Sequence, residues 1–456
     1  MQTVLTIVGG IAGFMIGGAP GAKWGMTIGA IVGGYIYPPS SGVTSQKIAG
    51  LSITAPQKGQ VLQIVYGRTR INGNIIWYGD FHSHETDSGS SGGGGKGGGQ
   101  ETYRVGFAVA LAEGKVGQLL NMWAGGDEVD LLDITYTFHG GSAGQVPDGY
   151  IAGIIAANPA DGQTSIAYPY VCYIVVDSWN LGYSSALPNF TFEVKRTTAD
   201  VVSGNAAITT LGLNGFVEDA NGDMNPVVCL ADLMTHPRYG LGLSAAELDA
   251  TSWQQIATWA AANGLFCSPV LDSAQSGLSH IEHLLSYFDG ILLFSQGIFK
   301  LRSRRSPALS DLDFYPVDWR DWLAQPKFSR SSDRQMPNSV ALEYADRSNN
   351  YDTAILERTD DWDVGVRGMF RDQISLPGVT TAIVADRLTS KWLWAKVVTP
   401  FTVEMRIGPQ GAWYEPGDLI SVEGSELYAL DGTRLRIITI QEEPNGEFTL
   451  TAVEER

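Results

Sequence analysis

The stretch that most constrains this chain runs from Gly59 to Asp130. Asn74 to Phe81 is rich in Ile, Trp, Tyr and Phe, and Tyr103 to Leu111 alternates large apolar residues with small ones. Both patterns belong to half-buried strands. Between them lies a run of glycine and serine, HSHETDSGSSGGGGKGGGQ, which reads as a long flexible tip of about 20 residues. Two long strands joined by such a tip make a projecting arm, and a projecting arm usually meets something else. Just upstream, Asn72-Gly73 is a pair that favours a tight hairpin.

Charge is distributed unevenly around this arm. The formal net charge is -18, yet no Asp or Glu occurs before Asp80. Lys23, Lys47, Lys58, Arg68 and Arg70 all lie in that first part, so the acidic excess belongs to the body. An acidic body argues against a protein that grips phosphates, which needs clustered Lys and Arg. It suits either plain solubility or a surface along which DNA slides without sticking. The three cysteines, Cys172, Cys229 and Cys267, lie far apart in apolar contexts and read as buried free thiols.

The first 37 residues are a second unusual feature. Gly9, Gly13, Gly17, Gly21, Gly25, Gly29 and Gly33 recur at every fourth position, with Ile, Val, Phe and Met between them. A small residue every four places lets helix backbones approach closely. Gly17-Gly18-Ala19-Pro20-Gly21 interrupts the run and predicts a hairpin of two short helices. Each is about 22 Å long, short of the roughly 30 Å bilayer core. Three readings stay open: packing in a protein channel or oligomer core, insertion into a membrane, or a disordered or processed leader. A signal peptide fits poorly, because Lys and Arg are missing from the start.

At 456 residues the chain exceeds a single core. The expected fold class is α+β, mostly β, in several domains. Residues 1–37 form the apolar glycine-zipper hairpin and 38–54 a linker beginning at Pro38-Pro39. Residues 55–200 form a β domain carrying the arm, with its tip at 82–100. Residues 201–306 form an α+β domain and 307–456 a β-rich closing domain. Helices are expected over 147–157, around Leu248 to Trp259, over Ser279 to Phe288 and over 380–396. Strand–turn–strand units are expected over 290–302 and 339–358, and closing strands over 413–423 and 433–455.

No constellation of residues carries chemistry convincingly. Gly89 to Gly93 satisfies G-x-S-x-G, but lies in the glycine run and lacks the strand and helix of a nucleophile elbow. Lys96 follows four glycines, yet Gly97 stands where a phosphate loop needs Ser or Thr. His82, His84 and Glu85, and separately His280, Glu282 and His283, lack a convincing further metal ligand. Asp219 to Asn225 resembles half a calcium loop, but has Met224 and Leu230 where Gly and Glu belong, so an Asx-rich turn fits better. Asp360, Asp361 and Asp363 around Trp362 read as an acidic surface loop. The expectation is therefore no catalytic residue, no metal and no cofactor. Gly92, Gly93, Lys96 and Gly97 at the arm tip, with the seven zipper glycines, are the interaction candidates.

The order of VYGR (65–68), GNIIW (73–77), the glycine loop, YRVGFAVALAEG (103–114) and WAGGD (123–127) resembles the tail-tip hub proteins of lambda-like bacteriophages, relatives of contractile-tail baseplate hubs. LPNFTFEV (187–194) is the most specific match, and DLMTHPRYGLGL (232–243) continues it. The resemblance covers about residues 55–200 well and 225–456 more loosely. It implies a hub with β-barrel-like domains, assembled as a homotrimeric ring that closes or continues the tail tube. It implies contacts with the distal tail protein, the tape-measure protein and a separate fibre or tip protein, with DNA passing through the lumen without specific binding. It implies a virion protein at the tail tip, made in the host cytoplasm. Such hubs often continue into receptor-binding regions beyond the point where this chain stops, so receptor recognition is expected to fall to another protein. Residues 1–37 depart from the family pattern and add a possible host-membrane contact. Two other classes compete: an enzyme acting on cell-wall polysaccharide, and a membrane-anchored adhesion or secretion component.

Overall fold

A computed structural model describes residues 61–86, 100–159, 162–182, 187–303, 315–329, 336–397, 401–424 and 432–454. The zipper glycines at 9 to 33, the linker and the tip positions Gly92, Gly93, Lys96 and Gly97 lie outside these residues.

Two antiparallel four-stranded sheets open the described chain. One runs Gly67–Asn72, Phe190–Arg196, Gln118–Ala124, Asp127–Val129. The other runs Asn74–Thr86, Gln100–Glu113, Val171–Gly182, Tyr136–Gly140. Their facing side chains, among them Phe107, Val109, Leu111, Ile174, Met122, Phe192 and Val194, make one apolar core. Central strands covered on both faces read as near-continuous apolar runs. That explains YRVGFAVALAEG and YVCYIVV, whose second face lies under the helix Gly149–Ala157 through Ile151, Ala108, Tyr173 and Val175. Asp148 starts this helix by accepting the Ile151 N–H at 3.0 Å.

The Asn72-Gly73 pair is not a hairpin turn, which corrects the sequence reading. The strand before it pairs with Phe190–Arg196, and the strand after it pairs with Gln100–Glu113. The chain changes sheets here. Glycine is required by space: an added Cβ would lie 2.1 Å from Val109 Cγ1.

A larger core follows, built on the helices Pro226–Thr235, Ala250–Ala262 and Gly277–Ser286. Asn225 caps the first and Pro226 occupies its opening turn, where a missing N–H costs nothing. Every residue of Pro226–Thr235 is buried. The same core takes in the hairpin Gly290–Ser295 and Ile298–Ser303, with its turn at Gln296-Gly297. It continues into Ser339–Asp346, Asp352–Thr359 and Arg371–Ser375, through Val340, Leu342, Tyr344 and Leu376, and into the helix Ala382–Val397. Asp360, Asp361 and Asp363 begin a helix, Asp361–Arg367, rather than forming a loop; Asp360 caps it by accepting the Asp363 N–H.

The last sheet has six strands in the order Tyr315–Asp318, Leu419–Glu423, Arg434–Glu442, Phe448–Glu454, Thr402–Ile407, Lys327–Ser329. Val403, Met405, Ile420, Leu435 and Leu450 form its own core. Barrel-like domains were expected, but the sheets are open: in each, two strands are left at the edges. The class is thus α+β with mostly strand. The three cysteines are buried and free.

Gly73→Ala is expected to cost about 1–3 kcal/mol by overpacking the sheet crossover. A urea titration measures this, and an unchanged midpoint would show that the crossover tolerates a side chain.

Candidate functional site

The two strands expected in the arm pair with each other, and a third joins them along part of their length. Asn74–Thr86 pairs with Gln100–Glu113 out to Thr86 opposite Gln100. Val171–Gly182 runs along the second strand as far as Gly182 opposite Tyr103, so the base is wider than a two-stranded reading predicts. Irregularities between Ile75 and Trp77 and between Gly79 and His82 bend the first strand. At the second, Asp80 adopts a positive φ of 53° and accepts the Tyr150 hydroxyl at 2.9 Å. Trp77 meets the same Tyr150 ring edge-on, with centroids 6.2 Å apart. The helix Gly149–Ala157 therefore pins the arm at its bend, a contact with no local signal in the sequence. Burial, then the Asp80 carboxylate, raises the Tyr150 hydroxyl above its usual range. Just past Asp80, Phe81 stacks on Tyr103 at 5.5 Å, and Tyr78 and Phe81, on either side of the bend, remain 61% and 54% exposed.

Two buried polar clusters join distant parts of the chain. In the first, Arg68 donates through Nε to Glu193 Oε1 at 2.7 Å and through Nη2 to Oε2 at 3.1 Å. Asn121 and the Tyr351 hydroxyl also donate to Glu193, at 2.6 and 2.5 Å. Arg347 donates to Tyr351 Oη at 3.0 Å, to the Arg68 carbonyl at 2.8 Å and to Asp223. Asp223 also accepts from Ser268 and, at 2.9 Å, from Thr380. Burial pushes the Glu193 carboxyl up, but the hydrogen bonds from Arg68 and Tyr351 more than offset it, leaving it below its usual value. For Arg347, burial opposes the charge; Asp223 and Tyr351 outweigh it and raise the guanidinium.

In the second cluster, fully buried Arg196 donates to the Tyr239 hydroxyl at 2.6 Å and to the Val65 carbonyl at 3.2 Å. Asp232 accepts from Tyr66 at 2.9 Å, from Tyr239 at 2.5 Å and from Asn205 at 2.9 Å. His236 stacks on Tyr239 with centroids 3.6 Å apart. Arg68, Glu193, Tyr66, Asp232 and Tyr239 all lie in the motifs that carry the family resemblance.

The chemical candidates disperse. His82 faces the Asp80 carbonyl at 2.8 Å. His280 faces the Ser273 carbonyl at 3.2 Å, while His283 is hydrogen-bonded to the Tyr287 hydroxyl at 2.9 Å. Burial lowers His283 to about 4, with His280 adding to the effect, so at neutral pH it is uncharged. Asp219 closes an Asx turn by accepting the Asn221 and Asp223 N–H groups, both at 2.9 Å. Among the described residues no group of three or more His, Cys, Asp or Glu side chains could hold a metal. Among them also, no helix is long and apolar enough to cross a membrane.

The described residues form an α+β fold of open sheets, with buried ion pairs between distant segments and a long antiparallel strand pair at Asn74–Thr86 and Gln100–Glu113. Residues 276–440 match the family described as "Putative phage tail protein". A chain from the virion of a native gene transfer agent (GTA) particle is similar over 97% of this chain and 96% of its own, with 18% identity and a TM-score of 0.68. That likeness is one of fold. The 43 kDa tail protein of prophage MuSo2 from Shewanella oneidensis aligns over 86% of this chain and 98% of its own, with 14% identity and a TM-score of 0.32. Prophage tail protein gp18 from Listeria monocytogenes EGD-e aligns over 77% and 84%, with 11% identity and a TM-score of 0.31. No curated protein matches the chain.

Arg347→Met strips Asp223 of its cation and is expected to destabilise by about 3–5 kcal/mol, read from denaturant unfolding. Because the folded Glu193 pKa lies below 4.5, its contribution is complete above that value and is lost as pH falls through the folded pKa. Glu193→Gln should flatten the stability-versus-pH curve below about pH 4.5. An equal slope in both proteins would remove Glu193 from the acid transition.

Proposed function

We propose that this chain is a structural component of a phage-type tail tip. In this reading three copies form a hub ring that closes or continues the tail tube and passes tape-measure protein and DNA to the host. The observation that carries the reading is the fold shared along 97% of the chain with a chain of an assembled GTA virion. The family match over residues 276–440 supports it independently of shape. Exposed aromatics add physical support. Trp362 is 77% exposed, Val366 and Met369 lie open close by, and Tyr78 and Phe81 do so on the arm. Large apolar groups left in solvent mark surfaces that meet other proteins. An acidic body repels DNA from the walls of a channel, which suits passage without binding.

The partners in this reading are further copies of the chain, the distal tail protein, the tape-measure protein and a separate fibre or tip protein. The arm reaches a neighbouring subunit or ring through the tip that includes Gly92, Gly93, Lys96 and Gly97. Residues 1–37 line or plug the lumen, or enter the host envelope during ejection. The protein is made in the host cytoplasm and works in the virion.

Replacing residues 87–99 by a two-residue turn should leave the unfolding transition of the purified chain intact and reduce tail assembly at least tenfold. Wild-type assembly would make the tip a passive loop. Deleting residues 2–37 should leave the unfolding of the body unchanged and lower tail assembly or DNA entry, scored separately. Normal values for both would remove that segment from the mechanism.

A further inference from the structure

Among the described residues, the apolar core of the last sheet shares no member with the larger core. The two units meet at the hairpin Gly290–Ser295 and Ile298–Ser303. Alternation along it sends Leu292, Phe294, Phe299 and Leu301 into the larger core. The register places Ile291, Leu293, Ser295, Lys300 and Arg302 on the opposite face, so that face carries two cations.

Against this second face lies the turn that leads into Leu419–Glu423. Glu415 binds the hairpin with both oxygens: Oε1 accepts from the Ser295 hydroxyl at 2.7 Å, and Oε2 accepts from the Lys300 ammonium. Asp418 accepts the Glu415 N–H at 2.8 Å and holds the turn closed. Gly417, with a φ of +91°, approaches so closely that an added Cβ would lie 2.6 Å from Leu293 Cδ1 and 3.5 Å from Arg302 Cγ. The Lys300 and Glu415 side chains are each 21% exposed. The contact is thus charged and partly wet, whereas each unit has a dry core of its own. A partly solvated ion pair contributes little net stability. Units joined by a polar contact move relative to one another unless a large apolar interface prevents it.

We propose that Glu415 is a latch. The last sheet is docked on the hairpin while Glu415 and Lys300 are paired, and swings away from it as one body when they part. This inference does not depend on the tail-tip reading.

The test is pulsed dipolar electron spin resonance on the full-length chain, with spin labels on Gln255→Cys and Gln441→Cys. Both positions are exposed, one on the helix Ala250–Ala262 and the other on the strand Arg434–Glu442, whereas the native cysteines are buried. Lys300→Met should at least double the width of the distance distribution. Lys327→Met, which removes a pair with Glu404 inside the last sheet, should leave the width unchanged. Raising the salt to about 1 M should widen the distribution with Lys300 intact, a readout that needs no altered latch. An unchanged width in Lys300→Met or at high salt would overturn the proposal, as would equal widening by Lys327→Met.

Discussion

The structure depends on one buried ion pair, Arg347 with Asp223. Arg347 comes from the segment after Ser339–Asp346, Asp223 from the turn before Pro226–Thr235, and the Arg68 carbonyl, which Arg347 also binds, from the first sheet. One guanidinium thus closes contacts that lie more than a hundred residues apart in the chain. Its planar fork suits this role, since several donors are held in fixed directions. A buried ion pair adds little net stability over well-packed apolar residues, but it penalises every arrangement that leaves one partner alone. The pair is therefore better understood as setting how the first β unit sits against the helical core.

The motifs that resemble phage hubs acquire a physical meaning here. VYGR supplies Tyr66 and Arg68, LPNFTFEV supplies Glu193, and DLMTHPRYGLGL supplies Asp232, His236 and Tyr239. They are far apart in sequence and meet in two clusters. Gly67, between Tyr66 and Arg68, has a φ of +65° and would place a Cβ 2.2 Å from Ser268 Oγ. Residue types that looked inert for catalysis are those that join the parts.

Much of the fold was legible because its signals are local. The apolar run at 103–111, the helix over 147–157 and the strand–turn–strand unit over 290–302 each declare themselves within a few residues. Asn72-Gly73 misled for a physical reason. The dipeptide favours a hairpin, but Val109 and the two different pairing partners decide the outcome, and they lie over thirty residues away. Open sheets rather than barrels likewise follow from pairings that alternation cannot reveal. The arm was visible, whereas its anchoring by Tyr150 on Asp80 was not, since the two are separated by seventy residues. The polar clusters were invisible as sites, because each joins partners more than a hundred residues apart, such as Arg68 with Glu193 and Tyr66 with Asp232.

Where the chain works is tested most directly by cryo-electron microscopy of the assembled particle carrying a tag on this chain. A tail-tip hub gives tag density in a threefold ring at the distal end of the tail tube, with the arms reaching adjoining subunits. Tag density along the tube, in the capsid, or absent from intact particles would contradict it.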